Sequence, residues 1–226
     1  MYFFSATEKM AVGVQYIEMA LILTALGVFI ILLASELWWR YKNPQSELSR
    51  KFVHITVGTF VAFWPFFLNW NQIRLLALGF AVTVVVSKTF HIFRAIHSVQ
   101  RPTWGEVYFA LVVGLLTFVT HSKSIYAASL LQMSLADGLA AVVGVRFGKR
   151  HRYKVLGHPK SYLGTATFLV VSVLLLVGYI VTGHDLAVSH LIGLAILASL
   201  GENFGVAGLD NLFVPLLVAL VLTKIG

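Results

Sequence analysis

Eight apolar runs, each fifteen to twenty-three residues long, follow one another near 17–37, 52–68, 73–92, 106–120, 125–147, 163–182, 186–201 and 209–224. A hydrocarbon layer about 30 Å thick takes roughly 20 residues of helix per crossing. The runs therefore predict one integral-membrane domain over 1–226, all-α, a polytopic transmembrane bundle of about eight helices, with seven to nine as the limits. Composition agrees, with 58% of residues hydrophobic and 12% charged, outside the usual balance of a soluble domain. With no cysteine in the chain, disulfides, thiolate metal sites and iron–sulfur clusters are excluded. The opening "MYFFSATEKMAVGVQYIEMA" lacks the basic region and cleavage site of a signal peptide and reads as an exposed or interfacial lead-in.

Lys and Arg are retained on the cytoplasmic side of a membrane. About thirteen of the seventeen fall on three alternate connections: Arg40, Lys42, Arg50 and Lys51 on the first, Arg94 and Arg101 with nearby Lys88 on the second, and the segment from Arg146 to Lys160 on the third. This places both termini outside. The same topology turns "GENFGVAGLDN" (201–211) toward the basic connections, although it carries Glu202 and Asp210 and no cation. Acids facing cations suit a metal-bound polyphosphate.

Asp137 lies inside the fifth run, where a carboxylate costs several kcal/mol unless it is paired, hydrated or metal-bound. At helical spacing it shares a face with Ala141, Gly144 and Gly148, which describes either a packing seam or a groove that a ligand can approach. Downstream, Pro159 stops any preceding helix and Ser161 can cap the next, so Lys160 and Ser161 form a candidate phosphate site at a helix start. Exposed Arg150 and Arg152 read as binders of lipid headgroups. Lys149 belongs to the same basic stretch.

Arg50 and His54 are four residues apart at the start of the second run, presenting a cation and a proton acceptor on one face. Lys51 stands beside them. Glu106 opens the fourth run next to Gly105 and is either a site residue or a complement to the helix dipole. The remaining histidines have no spacing that suggests a metal site, and the five tryptophans read as interfacial belts. There is no GxxxxGK[ST] loop, so P-loop chemistry is excluded. Together, Asp137, Glu202 and Asp210 with Arg50, Lys51, Lys149 and Lys160 suggest phosphoryl transfer to an amphiphile, with Mg²⁺ or another divalent cation held by the acids.

The ordered series "RKFVH" (50–54), "GEVYF" (105–109), "DGLAAVVGVRFGK" (137–149), "KSYLGT" (160–165) and "ENFGVAGLDNLFVPL" (202–216) resembles the polyprenol kinase family. That family holds dolichol kinases, phytol kinases and the fungal type of diacylglycerol kinase, and is related to phosphatidate cytidylyltransferases. The resemblance covers 50–216 and implies a lipid-alcohol kinase with CTP, less commonly ATP, as co-substrate. It implies that Asp137, Gly144, Gly148 and Lys149 form the acidic and glycine-rich segment, Lys160, Ser161 and Gly164 the KS motif, and Glu202, Asp210 and Asn211 the last acidic motif. The ending "GLDNLFVP" lacks the longer glycine, histidine and Asp-Arg signature of the cytidylyltransferases, so CDP-lipid synthesis is the alternative rather than the expectation. His54 or Asp137 would accept the hydroxyl proton. A small transporter would show matching broken repeats, which are not visible, and a non-catalytic scaffold has no need of acids and a KS pair. The expected partners are a lipid alcohol, a nucleoside triphosphate and the bilayer, with no nucleic acid, and the active site is expected on the cytoplasmic face.

Overall fold

The computed structural model describes residues 6–42, 46–90 and 104–225. Arg94, Arg101 and the rest of the connection at 91–103 lie outside the described residues, as do the side chains of Lys9, Arg40, Lys42 and Lys88. Helices stand at all eight apolar runs. They are α1 (Ala6–Lys42), α2 (Ser46–Ala62), α3 (Trp70–Phe90), α4 (Gly105–Val119), α5 (Lys123–Leu131) continued by α6 (Asp137–Phe147), α7 (Tyr162–Val181), α8 (Val188–Phe204) and α9 (Asp210–Ile225).

Local chemistry explains where they start and stop. Pro65 ends the second run early, in a 3₁₀ turn at Trp64–Phe66. Asn69 and Gln72 then exchange side-chain-to-backbone hydrogen bonds of 2.9 and 3.0 Å in a reciprocal cap that starts α3. Ser122 caps α5 and Ser161 caps α7, accepting from the Ile125 and Gly164 amides. The lead-in is helical from Ala6 rather than a separate segment.

Among the described residues, four stretches are long and apolar enough to cross a membrane: Glu18–Trp38, Trp70–Ser87, Lys123–Arg150 and Tyr162–Val181. Outward-facing leucines such as Leu23, Leu78 and Leu174 are more than half exposed, as lipid-facing positions would be. Hydroxyls inside these helices bond back to their own chain, as Thr24 to Ala20 O at 2.7 Å and Thr83 to Gly79 O at 2.8 Å. Trp64 does not join an aromatic belt: it is 2% exposed and packs edge-on against Phe60 in the core.

α5 and α6 form the spine, touched by α2, α7 and α9, while α3 lies on α4 and α4 on α9. Between α5 and α6 the helix widens into a π turn at Gln132–Ala136, ending directly before Asp137. Such turns free a backbone carbonyl from the regular ladder. After α6, the basic segment is not a loop but a hairpin, β1 (Arg152–Val155) paired antiparallel with β2 (His158–Ser161). Its two-residue turn, Leu156 and Gly157, has positive φ at both positions, matching the twist of the strands.

Candidate functional site

Asp137 is 5% exposed, and its Oδ2 accepts a hydrogen bond from Lys51 Nζ at 2.6 Å. His54, one turn further along α2, brings Nε2 to 3.5 Å from the same oxygen. Glycines make this approach possible. A Cβ on Gly138 would lie 2.2 Å from Ile55 Cγ1, and one on Gly58 would lie 2.4 Å from Ser134 Cβ. α2 therefore seats directly on the π turn and α6, and Lys51 and His54 reach Asp137 because nothing separates the helices. His54 Nε2 also lies 3.0 Å from the Met133 carbonyl in the π turn. A carbonyl only accepts, so Nε2 carries the hydrogen and Nδ1 is the ring nitrogen able to take a proton.

The second acid comes from the end of α8. Glu202 is buried, and Lys160 on β2 donates to its carboxylate and, at 2.9 Å, to its backbone carbonyl. Lys160 thus binds an acid and the negative end of a helix at once. Burial alone would lower the Lys160 pKa, but the Glu202 carboxylate beside it, helped by Asp210 and Asp137, outweighs this and holds it above the usual lysine value.

The chain then folds back sharply. A Cβ on Gly205 would lie 2.4 Å from Asp210 Cβ, and Ala207 and Gly208 both have positive φ. This turn returns Asp210 to Glu202. One carboxylate oxygen each from Asp137, Glu202 and Asp210 lies within 4.8 Å of the others. Three acids so close repel one another, and hard oxygen donors in this number suit a divalent cation. The residues present therefore fit such an ion.

The same turn clamps α4. Trp104 N donates to Ala207 O at 3.1 Å, and Asn211 Nδ2 donates to Gly105 O at 3.0 Å. Gly105 leaves room for Asn211 rather than for Glu106, since a Cβ there would meet Asn211 Nδ2 at 2.8 Å. Glu106 sits in the first turn of α4, and with Arg50, His54 and Asn211 it lines a narrow cavity beside the acids.

Of the glycine-rich segment, Gly144 and Gly148 face Ser161: a Cβ on either would fall within 2.8 Å of its Oγ. Gly164 packs against Ala140 O in the same way. Of the two arrangements that the spacing allows, seam or ligand groove, these contacts are those of a seam, joining α6 to α7 and to the end of the hairpin. Lys149 is exposed in the 3₁₀ turn Gly148–Arg150, and Arg150 and Arg152 are exposed as well.

Some participants have no obvious signal in the sequence. Tyr153 on β1 and Thr165 on α7 both bond to Asn203 Oδ1, while Asn203 Nδ2 donates to Ser199 O at 3.0 Å. This network ties the hairpin to α8 one residue beyond Glu202. Alternation of Tyr153 between Arg152 and Lys154 is the only hint that it points inward. The Met133 carbonyl, a backbone group, has no hint at all.

The chain is similar to a phytol kinase of Synechocystis sp., 37% identical over 215 residues that cover 91% of this chain and 90% of that protein. It is also 30% identical over 227 residues to a probable chloroplastic phytol kinase of Triticum aestivum, covering 89% of this chain and 75% of that one. No family model matches the chain, and no solved structure does.

Proposed function

This chain belongs to the polyprenol and phytol kinase family, and on that premise we propose that it transfers the terminal phosphoryl group of a nucleoside triphosphate to the hydroxyl of a membrane isoprenoid alcohol, phytol being the first candidate. The observation that carries the reading is the gathering of Asp137, Glu202 and Asp210 within 4.8 Å, flanked by buried Lys51 and half-buried Lys160. Opposed charges at one end of an apolar bundle suit a polyphosphate next to lipid. CTP as the donor rests on the family resemblance of the whole motif series, with ATP the alternative.

Mg²⁺ held by Asp137, Glu202 and Asp210 would neutralise charge on the phosphate oxygens. Lys160 supplies a fixed positive charge where the phosphoryl group passes, and Lys51 holds the Asp137 carboxylate in one orientation. The alcohol oxygen attacks the terminal phosphorus, the bond from that phosphorus to the bridging oxygen breaks, and the nucleoside diphosphate leaves. The hydroxyl proton goes to His54 Nδ1. His54 is the better base of the two candidates because Lys51 already occupies Asp137 Oδ2, while Met133 O fixes the His54 tautomer. The glycines of the motif series support this centre by letting helices meet, and Ser161 by capping α7.

All eight helical segments are taken to cross the membrane, with the acids and basic residues on the cytoplasmic side or its organellar equivalent. α2, α4, α8 and α9 have 17, 15, 17 and 16 residues, roughly 22–26 Å of helix against about 30 Å of hydrocarbon. Their inner ends, which carry Glu106, Glu202 and Asp210, then sit below the headgroup plane, where a lipid hydroxyl can reach them.

The test is purified protein in detergent with γ-labelled CTP or ATP, Mg²⁺, and phytol, geranylgeraniol, a polyprenol or diacylglycerol. Label is expected in an extractable lipid, preferentially from CTP. Label entering lipid from α-labelled CTP and phosphatidate instead would replace kinase activity by nucleotidyl transfer.

A further inference from the structure

A cavity of about 50 Å³ opens beside the three acids, enclosed by α1, α2, α3, α4 and the start of α9. It is shaped like an amphiphile. Arg50, His54, Glu106 and Asn211 stand at one end, and Leu32, Val53, Val57, Phe80, Val84 and Phe109 form the rest of the wall. Asn211 is 4% exposed, and its amide is oriented by the bond from Nδ2 to Gly105 O. That bond leaves Oδ1, a buried acceptor, without a partner among the described residues. A buried acceptor without a donor is unfavourable, and a hydroxyl arriving at the polar end would satisfy it.

We infer that this cavity is the acceptor subsite and that it holds only the hydroxyl-bearing isoprene unit of the lipid alcohol, the remaining chain passing out into the bilayer. The inference rests on the kinase reading above. Its volume corresponds to roughly four water molecules, which is about one five-carbon unit and too little for a glycerol backbone with two acyl chains. The single hydroxyl hydrogen has two acceptors within its end of the cavity, used in turn. It is donated to Asn211 Oδ1 as the alcohol binds, and it swings from there to His54 Nδ1, which takes the proton as the oxygen bonds to phosphorus. The consequence is selectivity for the first unit with tolerance for the length of the remaining chain, and rejection of diacylglycerol.

A wider groove of about 590 Å³ between α8 and α9 is a competing place for a lipid tail. Its lining residues, between Leu197 and Leu217, are all apolar or glycine, so no side chain there can orient a hydroxyl.

The test compares wild type, Val84→Phe and Leu200→Phe with geraniol, geranylgeraniol, phytol and diacylglycerol, measuring KM for alcohol and for nucleotide separately. Wild type should use the three isoprenoid alcohols within a few-fold of one another and diacylglycerol far less well. Val84→Phe, which fills the cavity, should raise the alcohol KM by about tenfold or more with the nucleotide KM unchanged, the latter also reporting a folded site. Leu200→Phe should change neither. An unchanged alcohol KM in Val84→Phe, or a raised one in Leu200→Phe, overturns this inference while the kinase reading stands. Absence of transfer to every alcohol by wild type overturns the kinase reading, and this inference with it.

Discussion

Lys51 and Asp137, 86 positions apart, form an ion pair of 2.6 Å in which both side chains are only 7% exposed. Such a pair is a poor source of net stability, since desolvating both ions offsets much of their attraction. Removing one partner is a different matter, because the other stays buried and unpaired. Asp137→Ala should therefore destabilise the protein by about 3–5 kcal/mol as well as abolish turnover. The double variant Lys51→Met/Asp137→Leu should recover most of that stability and none of the activity. Thermal unfolding in detergent beside a phosphoryl-transfer assay checks both halves.

The seat of α2 on the π turn gives a second expectation. Gly58→Ala places a methyl 2.4 Å from Ser134 Cβ, so α2 must shift and carry Lys51 and His54 with it. Overpacking of this kind costs about 1–3 kcal/mol, and kcat should fall further than the unfolding temperature suggests. At Gly79 an added methyl would meet nothing within 4 Å, so Gly79→Ala should leave both quantities near wild type.

His54 is placed to take a proton through Nδ1. His54→Ala should lower kcat by about 10²–10⁴-fold with little change in nucleotide KM. A proportional rise in nucleotide KM with kcat intact would assign His54 to phosphate binding instead.

Lys160 yields a statement about pH. Its pKa is raised in the folded protein by Glu202, so the stability it contributes is fully present below the unfolded lysine value of about 10.4 and is lost only as pH rises through the folded value. The difference in unfolding temperature between wild type and Lys160→Met should stay flat between about pH 7 and 10. Turnover in Lys160→Met should fall by about 10²–10³-fold, as for loss of a fixed group that stabilises developing charge. Arg152→Ala, at an exposed position on β1, should have only a small effect.

These expectations mix features that the sequence carries plainly with others that it hides. Helix positions were legible because the apolar runs and the cap at Ser161 encode them locally, whereas the stop at Pro65 inside the second run and the caps at Asn69 and Ser122 came from the structure. Asp137 stood out because a carboxylate among apolar residues demands a partner, and Glu202 and Asp210 because they break the charge pattern of their side. The identity of the partners was not legible. Lys51 meets Asp137 only through the fit of Gly58 and Gly138 against the facing helix, which depends on packing over long sequence separations. The π turn is a shift in backbone hydrogen bonding that hydropathy does not register. In the hairpin, alternation over four residues is too short to stand out within a basic segment. Gly144 and Gly148 could be read as groove or seam from spacing alone, and their contact with Ser161 is that of a seam; Gly164 was marked only by the motif resemblance.

The most direct measurement is phosphoryl transfer from γ-labelled CTP to phytol by wild type and Asp210→Asn side by side, across a range of Mg²⁺ concentrations. Asp210 is the one acid of the three with no lysine hydrogen-bonded to it among the described residues, so its loss is the least disruptive to the fold. Transfer that rises with Mg²⁺ in wild type and is lost in a folded Asp210→Asn protein is the result expected. Wild-type rates in Asp210→Asn, or transfer indifferent to Mg²⁺ and to its chelation, would contradict a phosphoryl-transfer centre built on these three carboxylates.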